Sequence, residues 1–385
     1  MRHLTVKNLG PIQEANLELE QINIIIGLQS SGKSCILKTA CYCSWIEKRL
    51  ELAQGANGFD KGSTFLDLMT DYYSMAGYVH EDTYIEYETA HLKFSYDHSA
   101  RSFKMQWKSG RWKYRRPKVS YVPADRNLVA AIPGWSSLSL DKNMIEFMSN
   151  WDKARRFIKT EENFLNLGMS YRYDSMSNSD KIHLGNGRPL MLKEGSSGIQ
   201  SLLPMYVHLD YLTNGQYKDD NSQISYEQRE ERKQLIAAIH DKLRKKGTPT
   251  NDSPIASTEA PAHNFPESDQ TRQFQEIYQR YTKVDHSEIF LEEPEDNLFP
   301  PTQCQLVDWL LESIRKHNDI LFIATHSPYI LNQFIKANPS GLTVFFTHRI
   351  EDKQHIYSIR QLKESEIHEI YDNGVDMFFN FELYL

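Results

Sequence analysis

The sequence predicts an α/β protein with a mostly parallel sheet, an antiparallel β lobe and a helical insertion. Apolar strand-like runs alternate with helical stretches late in the chain, as in SEIFLEE, DILFIAT and LTVFF. Such alternation favours parallel strands covered by helices. Polar and apolar residues alternate with period two between residues 83 and 122, where aromatic residues and valine dominate. That period indicates antiparallel strands.

In chain order, five segments follow from these patterns. Residues 1–82 hold a β-hairpin, an isoleucine-rich strand at 22–26, a glycine-containing loop and a helix over about 35–52. Residues 83–126 form the antiparallel lobe, with WKYRRPKVSYV as its last strand, and 127–213 form a helical lobe. Residues 214–285 are charged helices around a mobile linker at 247–270, which is rich in Pro, Ser and Thr. Residues 286–385 return to the α/β core.

Composition restricts the class of protein. The chain has 385 residues, 40 % of them hydrophobic, and a formal net charge of -7, so it carries no global basic field for nucleic acid. No apolar run approaches the roughly 18 residues of a membrane span, and the N-terminus does not resemble a secretory signal. Four cysteines form no CxxC and no zinc spacing. We expect a cytoplasmic protein with no membrane association, in which any DNA contact uses a local patch.

The loop after the isoleucine-rich strand carries a phosphate-binding motif. GLQSSGKS at 27–34 fits GxxxxGK[ST], the Walker A pattern. Glycines let successive N–H groups point at phosphate oxygens, and the following helix adds its positive N-terminus. A Gly/Ser-rich turn before an ordinary helix is the alternative, which the flanking strand and helix disfavour. The candidate nucleotide-binding residues are Gly27, Gln29, Ser30, Ser31, Gly32, Lys33 and Ser34, with Ser34 also a Mg²⁺ ligand.

Two adjacent carboxylates end the strand SEIFLEE. Glu292 is placed to support the metal, and Glu293 to activate the water that attacks the γ-phosphate. Pro294 stops the strand at this point, and Glu295 and Asp296 are expected to organise the loop rather than react. An acidic exit from a strand is common on its own, but its pairing with a phosphate loop favours a catalytic role.

Two further elements complete the candidate site. Ser197 and Gly198 open a helix in EGSSGIQ and are candidates for a second anion site. Simple helix capping, with Ser197 as N-cap, is the alternative. His326 follows the strand DILFIAT directly, and as the third element of the set it is a candidate contact for the γ-phosphate or the attacking water.

The order GLQSSGKS, GSSGIQSLL, FLEEPEDNLFP and IATHSP resembles an ABC-type ATPase of the RecF/SMC/OLD branch. This resemblance, which covers residues 1 to about 335, implies a P-loop NTPase core that binds ATP and Mg²⁺ and hydrolyses ATP. It also implies a head-to-head dimer in which Ser197 and Gly198 of one subunit face the nucleotide held by the other. Two residues depart from many relatives, Glu292 in place of Asp and Phe299 in place of His.

The resemblance also narrows the function. Residues 214–285 sustain no heptads like those of SMC-like repair proteins, and no DxD motif of a Toprim nuclease follows His326. The chain is therefore similar to stand-alone AAA-family ATPases of anti-phage systems such as Septu and PARIS. There the ATPase controls a separate effector, a nuclease or toxin.

Other functions remain open at this stage. The basic, aromatic stretch at 111–118 suits a DNA-repair ATPase that clamps nucleic acid directly, although a solvated hairpin strand whose aromatics face the core is the favoured explanation of it. A transporter subunit and an ATP-binding scaffold are further alternatives. Asp125 and Arg126 resemble a PADR-like turn, which could lie near the γ-phosphate or cap a strand end.

Overall fold

A computed structural model describes residues 2–132, 139–158, 161–185, 187–218, 226–245, 269–351, 355–374 and 378. The predicted mobile linker lies outside these residues except for its last two, which begin a helix. The strands are β1 (Arg2–Leu9), β2 (Ile12–Leu19), β3 (Ile22–Gly27), β4 (Val79–Glu88), β5 (Leu92–Asp97), β6 (Ser102–Trp107), β7 (Pro117–Val122), β8 (Glu162–Asn163), β9 (Met169–Asp174), β10 (Ser179–Leu184), β11 (Leu190–Met191), β12 (His286–Glu292), β13 (Ile320–Ala324), β14 (Leu342–Arg349) and β15 (Tyr357–Gln361). The helices are α1 (Lys33–Ala53), α2 (Thr64–Tyr73), α3 (Leu128–Ala131), α4 (Lys142–Phe157), α5 (Ser197–Asp210), α6 (Tyr226–Lys245), α7 (Asp269–Thr282), α8 (Pro300–Arg315), α9 (Pro328–Ala337) and α10 (Glu364–Asn373).

One large sheet organises the molecule and confirms the predicted α/β class. Among the described residues it has 11 strands in the order β6-β5-β4-β1-β2-β15-β14-β3-β13-β12-β7. Strands β14, β3, β13, β12 and β7 are parallel to one another. The antiparallel strands β4, β5 and β6 continue the same sheet through the N-terminal hairpin of β1 and β2.

The parallel strands are buried on both faces, which explains their uninterrupted apolar runs. In β3, Ile22, Ile24 and Ile26 face one core cluster with α4, α5, α8 and α9, while Ile25 faces a second cluster with α1. In β12, Ile289 and Leu291 face the first cluster and Phe290 the second. Helices on both faces of the sheet therefore fix the positions at which these parallel strands end.

The prediction of a last antiparallel strand at residues 112–122 was wrong. Instead of one antiparallel strand, Arg111–Lys113 forms a short 3₁₀ turn, and β7 pairs in parallel with β12 at the opposite edge of the sheet. Pro117, which lacks an N–H donor, opens this edge strand, where a missing donor is tolerated. The aromatic residues before it pack elsewhere: Tyr114 is buried in a small cluster with α6 and α7.

Smaller elements flank the sheet. Strands β8 to β11 form a separate antiparallel sheet in the order β11-β10-β9-β8, and β11 leads directly into the segment before α5. Helix α6 packs on both α1 and α7. Within the described ranges, no helix combines the length and the apolar character needed to cross a membrane.

Candidate active site

The register of the strands brings three predicted elements together at the carboxyl ends of neighbouring parallel strands. Ile25 of β3 pairs with Ala324 of β13, which in turn pairs with Glu292 of β12. Neighbouring strands lie about 4.8 Å apart, so the three strand ends span about 10 Å. The phosphate loop, His326 and Glu293 follow these residues within one or two positions. Since β13 separates β3 from β12, His326 leaves the sheet between the phosphate loop and the acids.

Two glycines of the phosphate loop are required by their positions. Gly27 has φ +144°, and a Cβ there would lie 1.8 Å from Thr347 Oγ1 of β14. Gly32 has φ +95°, and a Cβ there would lie 2.3 Å from Ile12 Cδ1 of the N-terminal hairpin. The loop therefore rests directly on two neighbouring strands. Leu28, Gln29 and Ser30 face solvent along its rim.

Ser31 anchors the phosphate loop to strand β14. Its buried hydroxyl lies 2.6 Å from the Leu28 carbonyl and 2.6 Å from Thr347 Oγ1. A carbonyl only accepts, so Ser31 donates to Leu28, and Thr347 donates to Ser31. Thr347 was missed at the sequence level; the one signal is a hydroxyl within the apolar run of β14.

Lys33 lies folded over the loop. Its ammonium group donates to the carbonyls of Gly27 at 3.0 Å and Leu28 at 2.6 Å. Burial lowers the pKa of Lys33 to about 8, while the nearby carboxylates, with Glu293 foremost, act in the opposite direction. Two of its three N–H donors are thus used within the loop, and the third is available to a phosphate oxygen.

The acids at the end of β12 have different surroundings. Glu292 is buried, and its carboxylate accepts a hydrogen bond from the Tyr121 hydroxyl of β7. Glu293 is partly exposed, and burial together with Asp296, Glu295 and Glu292 raises its pKa to about 7, against the opposing charge of Lys33. Glu293 can therefore exchange a proton near neutral pH, whereas Tyr121 keeps Glu292 in a fixed direction.

Glu295 organises the acidic loop, as expected. One of its carboxylate oxygens accepts the His326 backbone N–H at 2.6 Å, and the other accepts the Thr325 hydroxyl at 2.8 Å. These bonds join the loop after β12 to the loop after β13.

His326 faces Glu293. Its Nε2 atom lies 3.6 Å from Glu293 Oε1. Burial, with a contribution from the charge of Lys33, lowers the pKa of His326 to about 4. The imidazole is therefore neutral at pH 7 and can serve as a hydrogen-bond partner rather than as a cation.

The start of α5 differs in part from expectation. Ser196, not Ser197, is the N-cap, and its hydroxyl accepts the Ile199 N–H at 3.4 Å, so the capping alternative for Ser197 was wrong. Ser197 is exposed in the first turn. A Cβ on Gly198 would lie 2.8 Å from the Asn297 carbonyl oxygen. Gly198 thus contacts the loop after the acids rather than the phosphate loop of its own chain, and the Asn297 amide donates to Ser201 at 2.9 Å.

The structure also shows the surroundings of Arg126 and of the basic stretch at 111–118. Arg126 is completely buried, and its hydrogen bonds to described residues go to backbone carbonyls, including those of Glu292 and Glu293, so it caps a strand end. The cations of 111–118 are largely engaged within the chain. Arg111 stacks 3.9 Å from the Trp107 ring centre, Arg115 pairs with Asp285 at 2.8 Å, and Arg116 donates to the Thr282 carbonyl at 2.5 Å.

The donor set suits Mg²⁺ held together with a nucleotide. Ser34 and Glu292 offer the hard oxygen ligands that Mg²⁺ prefers, and few protein ligands are needed when phosphates supply the others. The described residues include no cluster of three or more His, Cys, Asp or Glu side chains arranged to hold a metal alone.

No protein-family model matches the sequence, and no curated protein matches it. Among solved structures, the chain is similar to an SMC head bound to the C-winged helix domain of ScpA, with 8 % identity and a TM-score of 0.42 over 95 % of this chain and 98 % of that one. It is similar to the SMC head domain from Thermotoga maritima, with 10 % identity and a TM-score of 0.42 over 94 % and 100 %. It is also similar to an ATP-binding cassette of an ABC transporter in its ADP conformation, with 11 % identity and a TM-score of 0.34 over 99 % of both chains.

The Thr347 hydroxyl should affect nucleotide binding without touching the nucleotide. Thr347→Val keeps the side-chain shape but removes the donor to Ser31, and losing one hydrogen bond of about 1 kcal/mol should weaken ATP binding about fivefold. Thr347→Ser keeps the hydroxyl and should bind ATP within about twofold of the unchanged protein. Isothermal titration of both variants with Mg·ATP checks this. Equal affinity of the valine and serine variants would show that the anchor is irrelevant.

Proposed function

We propose that this chain is a Mg-dependent ATPase that works as a head-to-head dimer and acts as a nucleotide switch for a separate effector. One observation carries the proposal. Lys33, Glu293 and His326 follow three adjacent parallel strands at one edge of the sheet, and the Glu293 carboxyl has a pKa of about 7. A group that must take up a proton at neutral pH is most effective with a pKa in that range.

Each residue has a distinct part in hydrolysis. The N–H groups of the loop at 27–34 and the Lys33 ammonium bind the phosphates, with Gln29, Ser30 and Ser31 in the loop. Ser34 and Glu292 would hold Mg²⁺, which neutralises charge on the β- and γ-phosphates when bound. Glu293 accepts the proton of the attacking water. Neutral His326, 3.6 Å from Glu293, orients that water or contacts the γ-phosphate.

A second copy of the chain would complete the site. Ser197 is exposed at the N-terminus of the 14-residue helix α5, where backbone N–H groups and the helix dipole favour an anion. Ser197 and Gly198 would contact the γ-phosphate bound by the partner. Phe299, 75 % exposed in the loop after the acids, offers apolar surface for such a contact. Because the γ-phosphate then bridges two chains, hydrolysis loosens the dimer.

The effector part of the proposal rests on the motif resemblance. ATPases that this chain resembles, in bacterial anti-phage systems such as Septu and PARIS, control a separate nuclease or toxin. We place this chain in the same role, with its nucleotide state as the signal that the effector reads.

A DNA-repair ATPase that clamps nucleic acid is the second candidate, and the internal contacts of 111–118 weigh against it. Arg111 is held by Trp107 and Gln54, and Arg116 by Thr282. Steeply salt-dependent DNA binding that stimulates hydrolysis would favour this candidate instead.

The pH dependence of hydrolysis follows from two shifted groups. Glu293 must be ionised to accept a proton, so kcat/KM should rise with pH through about 7. Lys33 must be protonated to bind phosphate, so kcat/KM should fall again through about 8. Steady-state kinetics between pH 5.5 and about 9.5 measures both limbs, since kcat/KM reports the groups of the free enzyme.

Matched variants identify the source of the rising limb. Glu293→Gln removes the base and should lower kcat about 10²- to 10⁴-fold. Glu276→Gln changes an exposed acid of α7 and should leave both limbs in place. A Glu293→Gln protein with unaltered turnover would rule out the assigned base and favour an ATP-binding scaffold.

Blocked hydrolysis should trap the dimer. Glu293→Gln retains the phosphate loop, so Mg·ATP should raise its native mass from one chain to two, as measured by light scattering, while ADP should not. Lys33→Ala, combined with Glu293→Gln, should abolish the rise. A protein that stays monomeric with Mg·ATP would contradict the shared site, and a constant dimer would mean that ATP acts within a standing assembly.

A further inference from the structure

Arg126 lies under the acid pair. It belongs to the turn that follows β7, at Ala124–Asn127, and its side chain is completely buried. One end of its guanidinium donates to the Glu292 carbonyl at 2.9 Å, and the other end donates to the Glu293 carbonyl at 2.8 Å. A third bond, to the Pro123 carbonyl at 3.2 Å, fixes the side chain to its own turn.

The guanidinium of Arg126 is a fork of two donors, and this fork replaces strand pairing at the point where β12 and β7 stop pairing. The last register pair between β12 and β7 joins Leu291 to Val122, because β7 turns away at Pro123. Carbonyl groups beyond that pair need other partners, since a buried backbone acceptor is costly to leave unsatisfied. Arg126 supplies two of these partners from a planar group with fixed spacing, which a lysine ammonium cannot reproduce.

Glu293 needs such support because its backbone is unusual. Its φ is +44°, in the left-handed region that non-glycine residues rarely adopt. Its N–H donates to the Ala324 carbonyl at 2.8 Å, and its carbonyl accepts from Arg126. With both backbone groups fixed by neighbouring segments, the direction in which the carboxylate leaves the chain is determined as well.

The charge of Arg126 also suits this place. A buried guanidinium is stable only near compensating charge, and four acids surround it: Glu292, Glu293, Glu295 and Asp296. Burial raises the pKa of the Asp296 carboxyl, and the positive charge of Arg126 acts against that rise. Because its hydrogen bonds within the described part of the chain go to backbone carbonyls, Arg126 orders the acids through the backbone and leaves the Glu293 carboxylate uncovered.

We infer that Arg126 is the positioning residue of the acid pair: its fork holds the backbone of Glu292 and Glu293 so that the Glu293 carboxylate points at the reacting water. This inference rests on the proposed ATPase function. The Arg126 turn packs against α5, so the same side chain links the acids to the helix that begins with Ser197. Because Arg126 is completely buried, we expect it to act on the acids without contacting the nucleotide.

Arg126→Lys tests the inference, since it retains the charge but loses the fork. We expect kcat to fall about 10- to 100-fold, the cost of a small misplacement of a reacting group, while the Kd for Mg·ATP stays within about twofold. The rising limb of the pH profile should remain near pH 7 because the charge is kept. Arg126→Gln loses the charge as well, so its rising limb should move to higher pH.

Arg155→Lys is the matched control. Arg155 is also a buried arginine, but it binds Asp152 and Asp180, and its replacement should lower the melting temperature without changing kcat. All rates are measured well below the lowest melting temperature, so that only folded protein is compared. If Arg126→Lys fails to fold, Arg126→Gln carries the test through the kcat-against-Kd split.

The outcomes distinguish a failure of the positioning role of Arg126 from a failure of the proposed ATPase function. If the unchanged protein hydrolyses ATP and the Arg126 variants match its kcat, the positioning role is refuted and the ATPase stands. If they lose ATP binding to the same extent as Lys33→Ala, Arg126 acts in binding and the inference is again refuted. If the unchanged protein hydrolyses no ATP, the proposed function fails first and the inference fails with it.

Discussion

The candidate site depends on the common level at which β3, β13 and β12 end. Helices on both faces bury these strands, and the register places Ile25, Ala324 and Glu292 side by side. The residues that follow must therefore share a space about 10 Å wide. These residues are Lys33, Glu293 and His326. They are not neighbours in the sequence, where nearly 300 positions separate Lys33 from His326.

The close packing of charged groups beyond the ends of these strands determines their pKa values. Burial disfavours charge on Lys33, Glu293 and His326 alike, and their pKa values are about 8, 7 and 4. Neighbouring carboxylates oppose the effect of burial at Lys33, whereas the charge of Lys33 adds to that effect at His326. Several acids drive the Glu293 pKa up while Lys33 holds it down. Phosphates and Mg²⁺ would add charge of both signs to the same space, so binding and the protonation of Glu293 should be strongly linked.

Local motifs allowed the candidate reactive residues to be proposed from the sequence, whereas the residues that support them were harder to find. The spacing of GLQSSGKS and the position of Glu292 and Glu293 after an apolar strand could be read from the sequence. Thr347 and Tyr121 could not, since each acts on a residue more than 160 positions away. For Arg126, the PADR-like turn left a γ-phosphate contact and a strand-end cap as equal alternatives, and the structure shows the cap. No local pattern distinguishes a threonine that anchors a loop from one that fills a strand.

Strand partners were hard to predict for a related reason. Alternation at 117–122 indicates a strand, but the same residues can pair at either edge of a sheet. The turn at 111–113 and the burial of Tyr114 against α7 carry the chain to β12 instead. The cap of α5 shows the limit at shorter range: in EGSSGIQ either serine could cap the helix, and the backbone selects Ser196.

Mixing two inactive chains tests the central claim, a site shared between copies, most directly. Lys33→Ala and Ser197→Arg should each abolish turnover alone. Random mixing makes about half the dimers mixed, and each mixed dimer has one intact site of two. The mixture should therefore recover about a quarter of the unchanged protein's ATPase rate. A mixture no more active than its separate components, or full activity of Ser197→Arg alone, would contradict the account.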